Sequence, residues 1–364
     1  MRPNDLDRLL YRVSKPARYT GGEWNSRVKD WAHAKLRFAL AYPETYEIGM
    51  SSLTVPLLYN LLNANDEVLC ERVFAPWVDL EALLREAKIP LFSLESKRPL
   101  GEFDVIGFSL GYELTFSNMI NMLDLAGIPP LTTERGNSYP LVIAGGGSVV
   151  NPEPVADFID LFVVGEAEYV LPRLLPVLIE FKGHKRELLE AAARLPGIYV
   201  PSFYQAHYLP DGTFKALEPV NRHAAEVIQR QIANPLPPPV ISPLVPYIET
   251  IHDHAAIEIQ RGCSRGCRFC QASTLYRPVR ERTHEEVTEA LGQLVKNTGY
   301  SEVALVSLST GDYPDITGLL RKLLDKYQQD VRFSLPSLRM DARSVRLLDM
   351  LPSRRKMTLT FAPE

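Results

Sequence analysis

The sequence predicts two α/β units in series, a doubly wound parallel sheet followed by part of a β/α barrel. Short apolar runs that read as strands alternate with amphipathic helical stretches along most of the chain. A proline-rich stretch, ANPLPPPVISPLVP at 233–246, interrupts that alternation, and beyond it the alternation resumes more regularly.

Before the proline-rich stretch, LRFALAY (36–42) reads as a strand and is followed by a helical stretch near 51–64. A helix-like ALLREA (82–87) comes next, then the strand DVIGFSL (104–110) and a helical stretch near 113–126. PLVIAGG (140–146) and IDLFVVG (159–165) are further strands, each bounded by glycine or proline. From about 184 the pattern changes to a helical ELLEAAARL and short strands around YLPDGTFK, whose Pro-Asp-Gly marks a hairpin turn. The expected organisation is therefore a doubly wound domain over 1–183, a small connecting α+β subdomain over 184–232, an extended linker over 233–246 and a barrel over 247–364.

In the second half AIEIQRG (256–262) reads as a strand, and Thr283 with Glu286 forms a capping box ahead of an apolar helix face. EVALVSL (302–308) is the next strand, and Ile316, Leu319, Leu320, Leu323, Leu324 and Tyr327 share one helix face. RFSLPS (332–337), a helix near 341–351 capped by Asp341, and the strand MTLTFAPE (357–364) follow. Four βα-type strands in succession suit a β/α barrel or part of one.

Composition bounds the function. The 364 residues are 46% hydrophobic and 23% charged with net charge −4, which excludes disorder, collagen and coiled coil. The charge divides as −6 before residue 234 and +2 from there on, so no global basic field calls for nucleic acid or an anionic membrane. No stretch reaches the ~18 apolar residues of a membrane span. The N-terminus MRPNDLDRLLYRVSKPARY lacks the apolar core of a secretory signal, so a cytoplasmic location is expected.

Three of the four cysteines, Cys263, Cys267 and Cys270, cluster in QRGCSRGCRFCQAS. A structural zinc site would need a fourth ligand, for which His252 or His254 could be proposed. A disulfide framework needs an oxidising compartment. Three thiolates on one loop at a strand end can instead hold three irons of a four-iron cluster and leave the fourth iron open to a ligand.

The spacing CxxxCxxC, with aromatic Phe269 just before the third cysteine, resembles the signature of radical S-adenosylmethionine (radical SAM) enzymes, in a loop where that family places it. The resemblance implies a [4Fe-4S] cluster on Cys263, Cys267 and Cys270, with the open iron binding the amino and carboxylate groups of S-adenosylmethionine. It implies reductive cleavage to methionine and a 5′-deoxyadenosyl radical that acts on an unidentified substrate, with electrons from a reductant such as flavodoxin or ferredoxin. Ser309, Thr310, Gly311 and Asp312 resemble the family's glycine-acid motif, which meets the cofactor's amino group, although the family's acid is usually glutamate. Arg339 in LPSLRMD could hold a carboxylate or the ribose region, and Glu364 sits where relatives place a ribose contact. Relatives usually have six βα units, so a truncated chain is expected.

Around the cysteine loop stand Arg261, Arg265, Arg268, Arg277, Arg280 and Arg282. They could balance an anionic cluster, bind a carboxylate or meet an anionic substrate such as RNA. The first half is similar to the cobalamin-binding domain that precedes many radical SAM domains. In that frame Glu44, Tyr46 and Gly49 follow the first strand, and Ser109, Gly145, Gly146 and Gly147 fall where loops approach the nucleotide tail. Tyr46 replaces the histidine that would ligate cobalt, so a corrinoid would be held without a protein cobalt ligand. KPARYTGGEWN, YEIGMS, CERVFAPW, PLFSLE and FAPE resemble an uncharacterised group of such proteins. Two other functions stay open, a non-catalytic iron–sulfur or corrinoid sensor and an RNA-modifying methylthiotransferase-like enzyme. The latter would need further N-terminal cysteines beyond Cys70.

Overall fold

The computed structural model describes residues 3–327, 330–350 and 361–362. Contacts divide the chain into two compact units, one of residues 1–233 with 246–251 and one of 234–245 with 252–364.

The first unit begins with α1 (Pro3–Leu10) and β1 (Leu36–Tyr42), followed by α2 (Tyr46–Met50), α3 (Thr54–Asn63), β2 (Val68–Phe74) and α4 (Val78–Ala87). Then come β3 (Val105–Ser109), α5 (Phe116–Leu125), β4 (Leu141–Gly145), β5 (Leu161–Val163), α6 (Ala167–Glu180), α7 (Lys185–Ala192) and β6 (Ile198–Tyr199). The strand order is β2-β1-β3-β4-β5-β6, with the first five parallel and β6 antiparallel to β5. Such an order reverses between β1 and β3, and the loops leaving their carboxyl ends flank a crevice there. Every residue of β2 and β3 is buried, as expected of parallel strands covered on both faces.

Strand β2 was not expected, because Glu71 and Arg72 interrupt its apolar run. Both charges are satisfied inside the unit. Arg72, fully buried, reaches Glu23 with Nη2 at 2.6 Å and Glu95 with Nε at 2.7 Å, while Glu71 accepts from the Ser96 hydroxyl at 2.6 Å. The side of β2 away from β1 is also bonded. The Asn63 amide donates to the Cys70 carbonyl at 3.0 Å and accepts from its N–H at 3.1 Å. Leu94 N donates to the Arg72 carbonyl at 2.7 Å, and the Glu95 carboxylate accepts from Arg72 N at 2.7 Å.

The residues expected to form a connecting subdomain belong by their contacts to the first unit. Leu188, Leu189 and Ala192 of α7 are buried, and β6 extends the main sheet. What stands apart from the sheet is the hairpin of β7 (Tyr204–Tyr208) and β8 (Phe214–Pro219) around Pro-Asp-Gly. As proline content requires, 234–245 holds neither helix nor strand.

The second unit contains β9 (Ala255–Glu258), β10 (Gln260–Arg261), α8 (Ala272–Leu275), β11 (Arg280–Glu281), α9 (His284–Thr298) and β12 (Glu302–Val306). It continues with α10 (Ile316–Tyr327), β13 (Arg332–Ser334), β14 (Leu338–Arg339), α11 (Ala342–Asp349) and β15 (Phe361–Ala362). Strands β13, β12 and β9 form one parallel sheet, and β14 pairs with β15 in parallel. The apolar faces of α9 and α10 pack with these strands in one core that includes Ile257, Leu291, Leu305, Leu320 and Phe333. Two expected strands differ in extent from what the sequence suggests. AIEIQRG becomes β9 and β10, and β10 turns away to pair antiparallel with β11. Of RFSLPS only Arg332–Ser334 is strand, as β13, and β14 lies beyond it, after Ser337 at φ +59. The capping box is present, with Thr283 Oγ1 accepting from Glu286 N at 3.2 Å and Glu286 accepting from Thr283 N at 2.7 Å. Among the described residues no helix is long and apolar enough to cross a membrane.

Candidate functional site

The cysteine loop is a closed excursion whose neck is the β10–β11 pair, where Gln260 faces Glu281 and Arg261 faces Arg280. Gly262 opens it at φ +93, and a Cβ there would lie 2.4 Å from the Tyr276 carbonyl oxygen. Only glycine fits that turn. Gly266, at φ +67, turns the chain again between Cys263 and Cys267. Cys270 N then donates to the Cys267 carbonyl at 2.9 Å, and Ser273 Oγ of α8 donates to the Cys270 carbonyl at 3.0 Å. The loop thus places three partly exposed thiols at the exit of the first strand of the second unit, none of them in a disulfide. Phe269 is exposed beside them.

Opposite this loop runs the turn after β12. Thr310 is buried and donates from Oγ1 to the Pro336 carbonyl at 2.6 Å, which anchors the turn to the segment before β14. Tyr313 donates to the Arg282 carbonyl at 2.6 Å. Between these anchors Asp312 accepts from Ser309 Oγ at 2.8 Å and from Arg265 of the cysteine loop, Nε at 2.7 Å with Nη2 on the second oxygen. The hydrogen bonds from Arg265 hold the Asp312 carboxyl below the usual aspartate range, and the charge of Arg339 adds to this. Gly311 lies against α11, where a Cβ would be 3.4 Å from Ser344 Oγ. Asp312 thus joins its turn, with Ser309 and Gly311, to the cysteine loop, Arg339 is near enough for its charge to act on Asp312, and Glu364 lies outside the described residues.

The arginines around the loop are mostly engaged within the chain. Arg261 pairs with Glu258 through two hydrogen bonds of 2.9 and 2.8 Å. Arg280 and Arg282 are buried and donate to the Pro278 and Glu258 carbonyls at 3.1 and 2.8 Å. Arg265 is held by Asp312, and Arg268 and Arg277 are exposed. Cys70 is buried in β2 and its thiol is pushed well up by that burial, so it offers no second ligand set for a methylthiotransferase-like chemistry.

In the first unit, Glu44, Ser109, Gly145, Gly146 and Gly147 share the carboxyl edge of the sheet. The Tyr112 hydroxyl donates to the Glu44 carboxylate. Gly146 sits at φ +118, where a Cβ would meet the Leu110 carbonyl oxygen at 2.3 Å. Tyr46 and Gly49 instead serve packing. Tyr46 is buried, donates to Glu23 at 2.9 Å and meets Phe74 edge-on at 5.5 Å, and a Cβ on Gly49 would lie 2.2 Å from the Phe74 ring. Sequence reasoning missed the side chains that this edge leaves exposed: Leu53, Trp77, Tyr112, Leu114 and Val150. Large apolar residues in the connecting segments that follow strands β1 to β4 were the available signal.

Two comparisons decide the family. Residues 257–357 match the family described as the radical SAM superfamily, and residues 54–201 match the one described as radical SAM proteins, N-terminal. The chain carries a radical SAM domain and the N-terminal domain of radical SAM proteins. This radical SAM chain is 28% identical to an uncharacterised protein of Methanocaldococcus jannaschii over 333 residues, 90% of the chain, and it spans 60% of that relative's length. Among solved structures it is similar to the cobalamin-dependent S-adenosylmethionine radical enzyme OxsB (15% identity, 82% of this chain and 38% of that one, TM-score 0.49). It is also similar to the radical S-adenosylmethionine methyltransferase TsrM of Kitasatospora setae (14% identity, 86% and 57%, TM-score 0.48). The cofactors that the radical SAM domain implies are a [4Fe-4S] cluster and S-adenosylmethionine.

The donor set of this radical SAM chain suits that cluster. Three thiols without disulfide partners stand on one glycine-punctuated loop beside an ionised carboxylate. Among the described residues no three His, Cys, Asp or Glu side chains converge on a point for one ion, so the zinc arrangement with His252 or His254 is not assembled. Cysteines that each bind a different iron have no need to converge in that way.

Proposed function

We propose that the chain is the cluster-bearing part of an enzyme that reductively cleaves S-adenosylmethionine and modifies a substrate. The observation that carries this reading is the Cys263–Cys270 loop facing the Ser309–Asp312 turn across the ends of β9 and β12. Cys263, Cys267 and Cys270 would hold the cluster, which supplies one electron to break a sulfonium carbon–sulfur bond, giving methionine and a 5′-deoxyadenosyl radical. Asp312, oriented by Arg265, offers a carboxylate to the ammonium of S-adenosylmethionine, and Arg339 places a positive charge within electrostatic reach of that carboxylate. A low-potential carrier such as flavodoxin or ferredoxin would donate the electron. Anaerobic reconstitution with iron and sulfide, followed by electron paramagnetic resonance with and without S-adenosylmethionine, tests the reading. A four-iron signal that shifts on addition and is lost in Cys267→Ala is expected. Absence of a cluster, or one zinc per chain, overturns it.

A second reading belongs to the first unit. The reversal between β1 and β3 and the exposed Leu53, Trp77, Tyr112, Leu114 and Val150 at its carboxyl edge favour a large, partly apolar ligand there, for which a corrinoid without a protein cobalt ligand is suitable. Retention of cobalamin through gel filtration, with an absorbance spectrum changed from that of the free cofactor, is expected. Elution of all cobalamin as free cofactor would count against it.

A further inference from the structure

The two halves of the proposed site come from segments 47 residues apart, and the Arg265–Asp312 pair spans them. Arg265 lies midway between Cys263 and Cys267, in a stretch without helix or strand whose backbone is turned by Gly262 and Gly266. Its guanidinium meets Asp312 with two nitrogens on two oxygens, the fork geometry that fixes direction as well as distance. Asp312 is also held by the buried Ser309, which donates to the carboxylate oxygen that accepts from Arg265 Nε. The turn itself is tied down by the buried Thr310. A firmly anchored carboxylate therefore fastens the middle of an otherwise irregular loop. The same pair is open to solvent on the arginine side, which is 43% exposed, so the fastening is reversible.

We propose that Arg265 is a positioning residue, a latch that closes the cysteine loop onto the Asp312 turn so that the loop and the carboxylate are set as one unit. The arginine carries two tasks. It limits where Cys263 and Cys267 can stand, and it fixes the plane of the Asp312 carboxylate before a ligand with an ammonium group arrives. Lysine cannot do both, because a point charge neutralises the carboxylate without fixing its plane. The inference rests on the reading of this loop as the cluster loop, but its deciding test does not.

That test is amide hydrogen exchange of the iron-free chain. In Arg265→Gln, amides 263–270 exchange faster than in the wild type by about fivefold, the upper range for a partly exposed pair. Asp312→Asn gives the same acceleration, the double variant gives no more than either, and Arg265→Lys recovers part of it. Amides of α9 are unchanged in all four and report that the unit is folded. High salt accelerates exchange in the wild type and not in Arg265→Gln. Unchanged exchange in Arg265→Gln, or additive effects in the double variant, overturns the latch. In reconstituted protein, equilibrium dialysis of S-adenosylmethionine should show about tenfold weaker binding in Arg265→Gln at equal iron per chain. Failure of the wild type to bind it would overturn the proposed function and leave the exchange result to decide the latch.

Discussion

The Tyr112 hydroxyl donates to the Glu44 carboxylate, and this bond joins the turn after β3 to the turn after β1 across the reversal in strand order. The two turns are reinforced by Asn118, whose amide donates to the Pro43 carbonyl at 3.0 Å. The mouth of the crevice is therefore bridged by a phenol and a carboxylate 68 residues apart in sequence.

Tyr112 ionises late. The hydrogen bond to Glu44 and burial push its phenol up to about 12. A tyrosine with a raised folded pKa binds its proton more tightly when folded, so the bond's contribution is complete below the ordinary value of 10 and fades as pH rises through about 12. An ultraviolet difference titration of wild type against Tyr112→Phe should place the missing phenolate near pH 12, and a midpoint near 10 would show that the bond is absent in solution.

Removing Arg72 leaves the buried Glu23 and Glu95 without their cation. Arg72→Met should therefore lower stability by about 3–5 kcal/mol in urea unfolding, whereas replacing all three residues by apolar ones should recover much of the loss. Glu23 is held below the usual range because Arg72 outweighs the opposing effect of burial. Its contribution is present above the unfolded carboxylate pKa and is lost as pH falls below it. An Arg72→Met variant as stable as the wild type would remove the network from the list of major stabilising features.

The thiols should fall into two classes. Cys70 is fully buried and its pKa lies well above 9.0, so its thiolate is scarce at mildly alkaline pH. An aromatic disulfide reagent should titrate Cys263, Cys267 and Cys270 rapidly in the iron-free chain and reach Cys70 only on unfolding. Rapid reaction of a fourth thiol in the folded protein would contradict the packing of β2.

Gly262→Ala should disturb the cluster loop more than the fold. The added Cβ would stand 2.4 Å from the Tyr276 carbonyl oxygen at a φ of +93. A local cost of about 1–3 kcal/mol is expected, with iron incorporation per chain sharply reduced while the circular dichroism spectrum is kept. Wild-type iron content in this variant would mean that the loop tolerates a different path.

What the sequence disclosed depended on whether the deciding partner was near in the chain. LRFALAY coincides with β1, and the Thr283–Glu286 box starts α9 where expected, because both signals are local. VLCERVF hid a buried edge strand because its two charges are neutralised by Glu23, Glu95 and Ser96. Helix α6 was overlooked for a similar reason. It contains Pro172 and Pro176, which usually end helices, yet Val170, Leu171, Leu174, Leu175 and Leu178 bury one face and hold it. In the site, the cysteine spacing was legible, but the pairing of Arg265 with Asp312 was not, since nothing local to either residue points to the other.

The bonding along the outer side of β2 has a consequence for how the protein behaves at high concentration. A sheet that ends in a bare strand offers a rail of unpaired amides onto which another chain can zip, the first step of many aggregates. Here the Asn63 amide stands in for a neighbouring strand at Cys70, and the segment carrying Leu94 and Glu95 does so at Arg72. The rail is capped by the chain's own groups, so this edge is insulated against intermolecular strand addition.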